Sequence, residues 1–193
     1  MSRPVIASVT LSMDGRVAGP NGDGSWLVEH ALDPEMRAYF EGVWRGADTI
    51  LLGRRNYEGF HGYWPSVAAD ASAHPRDRAM ADWMNETEKI VFSRTLTEVT
   101  WPGARLAQAG PAIEVSDLKE ANGQAIIVLS SVSIIRSLLA AGMVDELRLH
   151  LLPELLGGGE PLFTDGLPRS GWRLASHTAL PTGALALNYR PRR

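Results

Sequence analysis

The stretch Ile126–Gly142, IIVLSSVSIIRSLLAAG, constrains the fold more than any other part of the chain, because it reads as a fully apolar strand running straight into a helix. A strand apolar on both faces must be covered on both, and helices on each side of a parallel sheet are the usual solution. The same arrangement recurs upstream: DTILLG is followed by the helical RRNYEGFHGYW, and EKIVFS is a further short buried run. At the end of the chain GWRLASHTAL and GALALNYRPR flank PTG, which predicts a closing antiparallel hairpin. Together these segments predict an α/β fold, a mostly parallel twisted sheet with flanking helices and a C-terminal antiparallel hairpin.

The remaining segments fit around that frame. PVIASVTL, residues 4–11, is rich in β-branched residues and predicts an early strand, and SMDGRVAGPNGDGSW, with four glycines, predicts a long mobile loop. Asp33 is placed to cap a helix that starts at Pro34, carries apolar residues at Met36, Phe40 and Val43, and ends by Gly46. The Ala-rich segment from Pro65 reads as a surface loop followed by a helix near 76–86, WPGARLAQ as a further strand, and PAIEVSDLKEANG as a helix closed by Asn122-Gly123. In DELRLHLL, Leu147, Leu149 and Leu151 alternate with Glu146, Arg148 and His150, which predicts a strand with one solvated face and His150 pointing outward.

With 193 residues, no repeat and no linker, the expectation is a single domain over 1–193. A composition 45% hydrophobic and 21% charged is that of a globular protein, and a net charge of −3 argues against nucleic acid or a membrane surface as partner. There is no cysteine, which removes disulfides, thiolate metal sites and a cysteine nucleophile. With no signal-like or membrane-spanning apolar run, the expected location is cytoplasmic.

In open α/β sheets ligands bind beyond the carboxyl ends of the strands. TILLGRRN ends in Gly53, which permits close backbone approach, then Arg54 and Arg55; IVFSRT ends in Ser93 and Arg94; IIVLSSVS delivers Ser130 and Ser131 to a helix N-terminus, with Ser-Ser read first as an N-cap. Each signal alone is weak, but two cationic strand ends plus a helix dipole describe a site for a polyanion such as a phosphorylated nucleotide. Other chemistries fare worse. His30, His61, His74, His150 and His177 lack metal-ligand spacing, no nucleophile elbow is present, and LLGGGEPLF lacks the Lys-Ser/Thr of a phosphate loop and reads as a turn or bulge.

SMDGRVAG, ILLGRRNYEGF, KIVFSRTL and GMVDELRLHLLPELLGGGEPLF, in that order, resemble the reductase domain of bacterial riboflavin biosynthesis, within the dihydrofolate-reductase-like fold. The resemblance implies an NADPH-dependent oxidoreductase, similar to 5-amino-6-(5-phosphoribosylamino)uracil reductases or dihydrofolate reductases, with a small-molecule substrate and frequently a homodimer. It further implies that Val17 and Ala18 face the nicotinamide through their backbones. Arg54, Arg55 and Asn56 then line the phosphates, and Ser93 and Arg94 hold the adenosine 2′-phosphate. Ser130, Ser131 and Val132 fall where the family usually carries glycines along the pyrophosphate and nicotinamide. The two serines either fill that space or donate hydrogen bonds into it. No acid clearly matches the catalytic carboxylate of dihydrofolate reductases, so the catalytic residue is open. Trp26 covers a flat substrate or anchors its loop, and Asp33 lies near the substrate region but is explained as a cap. The alternative from another class is a non-catalytic small-ligand-binding protein that keeps the fold with weakened cofactor binding.

Overall fold

A computed structural model describes residues 2–192. In chain order the strands and helices are β1 (Val5–Ser12), β2 (Arg16–Ala18), α1 (Leu27–Leu32), α2 (Pro34–Trp44), β3 (Ala47–Gly53), α3 (Arg54–Ala69), α4 (Pro75–Glu86), β4 (Glu88–Phe92), β5 (Ala104–Leu106), α5 (Pro111–Glu120), β6 (Ala125–Leu129), α6 (Val132–Ala140), β7 (Glu146–Leu152), β8 (Glu160–Pro161), β9 (Trp172–Ala179) and β10 (Leu185–Pro191). Eight strands form one sheet in the order β5-β4-β3-β6-β1-β7-β10-β9. The first six are parallel, and β10 runs antiparallel to both β7 and β9. The hairpin expected at the C-terminus is therefore the antiparallel edge of a mostly parallel sheet.

The two-residue period of a strand sends alternate side chains to opposite faces. Val5, Ala7, Val9 and Leu11 of β1, with Ile126 and Val128 of β6, join Val115 of α5 and Ile134, Ile135 and Leu138 of α6. Ile6, Ile50, Leu52, Ile127 and Leu129 project to the other face and meet Val43 of α2, Tyr57 of α3 and Met84 of α4. Asp33 caps α2, its carboxylate accepting from the Glu35 and Met36 amides at 3.0 and 2.8 Å.

Three expectations are corrected. His150 does not point to solvent: it is 1% exposed, because α2 lays Tyr39 and Phe40 over that face of β7 at centroid distances of 5.2 and 4.6 Å. The segment 12–26 is built rather than an unstructured loop. β2 pairs antiparallel with β8, and the Asp14 carboxylate accepts from the Leu156 and Gly157 amides at 3.1 and 3.0 Å. Close approach there requires glycine: Gly159 has φ +98°, and a Cβ on it would sit 2.1 Å from the Ala18 carbonyl oxygen. Finally, α3 continues through Pro65 to Ala69, so the surface loop before α4 shrinks to residues 70–74.

Candidate functional site

A cleft of about 1130 Å³ opens at the carboxyl ends of the parallel strands. Its walls come from Val9 and Thr10 of β1, Val17 and Ala18 of β2, Gly53 at the end of β3, Phe92 and Ser93 at the end of β4, and Ser130 after β6. The N-cap residues of α3, α5 and α6, which are Gly53, Gly110 and Ser131, all border it, and none of these helices has a side-chain cap. By contrast, α2 and α4 are capped by Asp33 and His74. An uncapped helix N-terminus presents free amides and roughly half a positive charge, so α3 and α6 facing one space favour an anion; α5 adds less, because it opens on Pro111, which has no N–H, its Ile113 amide donates to the Gly110 carbonyl at 3.1 Å, and Glu114 lies in its first turn.

Charged side chains reinforce that field. Arg54, Arg55 and Arg94 line the cleft. Arg54 is held by Glu58 at 3.2 Å, whereas Arg55 and Arg94 form no ion pair among the described residues. Ser93 shapes the turn that carries Arg94, its Oγ accepting from the Thr95 and Leu96 amides at 3.1 and 2.8 Å. Nothing within the protein demands glycine at 53: its nearest potential Cβ neighbours lie on Ser131 and Ser133 at 3.9 Å, ordinary contact distance. Gly53 borders the cleft.

The serine pair divides its labour. Ser130 takes φ +50°, the left-handed conformation that glycine adopts freely, while its amide donates to the Ser8 carbonyl at 2.8 Å. The conformation expected of a glycine turn is therefore kept, and the exposed Ser130 side chain stands in the cleft. Ser131 occupies the N-cap position of α6 but caps nothing, which corrects the N-cap reading. Its buried Oγ instead accepts from the Gly53 amide at 3.0 Å and donates to the Leu129 carbonyl at 3.2 Å. Asn56 Nδ2 donates to the same carbonyl at 3.1 Å. Ser131 and Asn56 thus strap the ends of β3 and β6 together beneath the cleft floor.

All eleven positions singled out for a cofactor (Val17, Ala18, Gly53, Arg54, Arg55, Asn56, Ser93, Arg94, Ser130, Ser131 and Val132) border this one cleft. The structure places Trp26 and Asp33 elsewhere. Trp26 packs against the Met36, Leu152 and Leu180 cluster, anchoring its loop, and the Asp33 carboxylate is engaged as a helix cap. The α5 wall, Ala107, Ala109, Gly110 and Pro111, was missed from sequence, although Gly-Pro opening a helix is a legible start signal. Behind it, buried Glu114 accepts from the Gln108 and Ala109 amides at 2.6 and 3.3 Å and pairs with Arg105 at 3.0 Å. Burial alone would raise the Glu114 pKa, but Arg105 and the two amides outweigh it and hold the carboxyl below its usual range. Glu160, held by Arg136 at 3.7 Å, is the one carboxylate lining the cleft among the described residues. No cluster of metal-ligating side chains occurs among them.

A mostly parallel sheet with an antiparallel edge, matched over its whole length by a dihydrofolate reductase, places the chain in the dihydrofolate-reductase-like fold. The chain belongs to the RibD C-terminal domain family, whose family model matches residues 3–186. Among relatives, the uncharacterized protein YyaP of Bacillus subtilis is 28% identical, covering 97% of this chain and 94% of its own. A putative riboflavin biosynthesis protein from Shewanella sp. PV-4 has the same fold, with a TM-score of 0.70, 22% identity and full coverage of both chains. Dihydrofolate reductase from Enterococcus faecalis, solved with NADP(H) and RAB-propyl, has a TM-score of 0.61 at 12% identity, again over the whole of both chains. A Thermotoga maritima diaminohydroxyphosphoribosylaminopyrimidine deaminase/5-amino-6-(5-phosphoribosylamino)uracil reductase has a TM-score of 0.67 at 12% identity; the match covers 99% of this chain and 57% of that one. No helix among the described residues is long and apolar enough to cross a membrane.

Proposed function

We propose that the protein is an NADPH-dependent reductase of a small substrate, such as a pterin, a ribosylaminopyrimidine or a related compound. The observation that carries this reading is the convergence of the uncapped N-termini of α3 and α6 and two unpaired guanidinium groups on one cleft at the strand ends. That donor set suits a molecule with several phosphates, and the structural neighbours include a dihydrofolate reductase solved with NADP(H). NADPH, when bound, supplies the hydride. The amides at the start of α3 and α6, with Arg54 and Arg55, bind its pyrophosphate. Ser93 and Arg94 take the 2′-phosphate, and the backbone of Val17 and Ala18 orients the nicotinamide. Ser131 and Asn56 keep β3 and β6 at the spacing this contact needs. Holding the two reactants in near-attack geometry accounts for most of such a catalyst's work, and the accompanying proton comes from solvent at the open cleft.

The protein assembles as a homodimer in this reading, supported by β9, an edge strand exposed along seven of its eight residues, Leu174 among them. A second reading draws on Ser130, whose side chain occupies space a glycine would leave free: a non-catalytic small-ligand-binding protein with weakened cofactor binding. Fluorescence titration of the purified protein with NADPH and with NADH decides between them. The reductase reading expects tight NADPH binding, at least tenfold stronger than NADH. Weak and equal binding of both favours the second reading.

A further inference from the structure

β2 and β8 stand apart from the eight-stranded sheet as a two-stranded ribbon of three and two residues. A ribbon that short is marginal by itself in water, yet it carries Val17 and Ala18 into the cleft wall. Within the ribbon the two strands are closely joined. Arg16 pairs with Pro161 and Ala18 with Glu160, and the Leu162 amide donates to the Gly15 carbonyl at 3.0 Å. Arg16 also donates to the Gly159 carbonyl at 3.2 Å, and Gly159 itself lies against the Ala18 carbonyl too closely for any Cβ. A displacement of β8 therefore carries Ala18 with it.

Two ties join β8 to α6. One is apolar: Leu162, fully buried, packs in the core cluster that holds Ile134, Ile135 and Leu138. The other is Arg136, one turn beyond Val132. Its Nε donates to the Leu162 carbonyl at 3.0 Å, one terminal nitrogen donates to the Pro161 carbonyl, and the other lies 3.7 Å from the Glu160 carboxylate. Among the described residues no other side chain bonds to residues 160–162. A planar fork that serves two consecutive carbonyls fixes direction as well as distance. The same helix opens on the cleft, where its uncapped first turn presents amides to an anion. α6 is thus a common mount: its first turn faces the phosphates, and its second turn, through Arg136, sets the ribbon.

We infer that Arg136 is a positioning residue for the reductase. By fixing β8 to α6 it sets the distance between the phosphate-binding amides and the Val17–Ala18 wall, so that a dinucleotide anchored by its phosphates meets that wall with its nicotinamide. This rests on the reductase reading of the same cleft. Arg136 itself does not line the cleft, and its guanidinium is engaged by two carbonyls and one carboxylate. Its effect therefore falls on one half of the ligand. The adenosine half meets α3, the start of α6 and Arg94, whose positions do not depend on β8; the nicotinamide half meets the ribbon. Without Arg136, Leu162 and Val17 still pack on the core, so the ribbon loosens while the fold stays closed.

The test uses the full chain with two probes, NADPH and adenosine 2′,5′-bisphosphate, which carries the adenosine half and no nicotinamide. The unmodified protein, Arg136→Met and Arg136→Lys are titrated with each probe by calorimetry, and thermal melts verify folding. Arg136→Met should lose at least tenfold in NADPH affinity and stay within twofold for the bisphosphate. Arg136→Lys keeps a donor for one carbonyl but not the fork for two, and should lose less NADPH affinity; if Arg136→Met does not fold, the lysine variant's split between the probes decides. At saturating NADPH the fluorescence of the bound nicotinamide should differ between the unmodified protein and the variant, a response that a general loss of stability would not give. Equal losses for both probes overturn the inference, as do unchanged NADPH affinity or identical emission at saturation, and each of these leaves the reductase reading standing. An unmodified protein that binds the bisphosphate but not NADPH overturns the inference as well, and one that binds neither probe overturns both.

Discussion

Replacing His150 should change how the protein responds to acid, by an amount that follows from its burial. The imidazole is enclosed by Tyr39 and Phe40, its neighbours on the same face of β7 are Arg148 and Leu152, and its pKa falls from the ordinary 6.5 to about 3, with desolvation as the main cause and Arg148 as the lesser one. The unfolded chain takes up a proton near pH 6.5, whereas the folded chain refuses it until about pH 3. Stability from this group is therefore whole above pH 6.5 and declines as pH falls toward 3, by about 1.4 kcal/mol per pH unit. At pH 4.5 the loss is about 2.7 kcal/mol on the same basis. Carboxylates such as Glu114 and Glu146, held below their usual range by arginines and amides, lose stability over part of the same interval. Comparison with His150→Leu cancels their share. Urea unfolding of both proteins at pH 7.5 and pH 4.5 should show the stability gap widening in favour of His150→Leu by about 2–3 kcal/mol. A gap that stays constant between the two pH values would refute the reasoning and mean that the folded imidazole protonates normally.

Arg94→Ala should weaken NADPH binding by about tenfold to a hundredfold, the worth of a charge-assisted contact of roughly 1.5–3 kcal/mol, and leave NADH binding nearly unchanged; equal losses for both would remove Arg94 from the 2′-phosphate role. Ser130→Gly relieves a left-handed serine and should raise stability by about 1 kcal/mol in urea unfolding. In the reductase reading it also weakens NADPH binding modestly, whereas tightened binding would indicate that the serine obstructs the site. Ser131→Gly should destabilise by about 1–3 kcal/mol, because it leaves the Gly53 amide and Leu129 carbonyl without their shared partner; no loss would mean the strap is unimportant. Light scattering should give a dimer near twice the 21.0 kDa chain mass, and a monomer at all concentrations would dismiss the dimer proposal.

Legibility in the sequence followed the range of the interactions. The apolar runs ILL, KIVF and AIIVL announced buried parallel strands because each is a local property of consecutive residues, and the polar residues at their ends marked one wall of the cleft. His150 was misread because alternation records that two faces of β7 differ without saying that α2, a hundred residues earlier in the chain, covers the second. The order within segment 12–26 was hidden for the same reason: Asp14 finds its partners at Leu156 and Gly157, and β2 finds β8. At Ser131 the residue type suits a helix cap, but the nearby Gly53 amide offers its hydroxyl a buried partner that only tertiary structure reveals.

The central claim is that the cleft binds NADPH along the ends of β4, β3 and β6. A crystal structure of the protein soaked with NADPH tests it most directly. The account predicts continuous density for the dinucleotide, with the pyrophosphate against the first turns of α3 and α6, the 2′-phosphate on Arg94, and the nicotinamide beside Val17 and Ala18. Density absent at saturating NADPH, or a cofactor lying away from these helix N-termini, would contradict it.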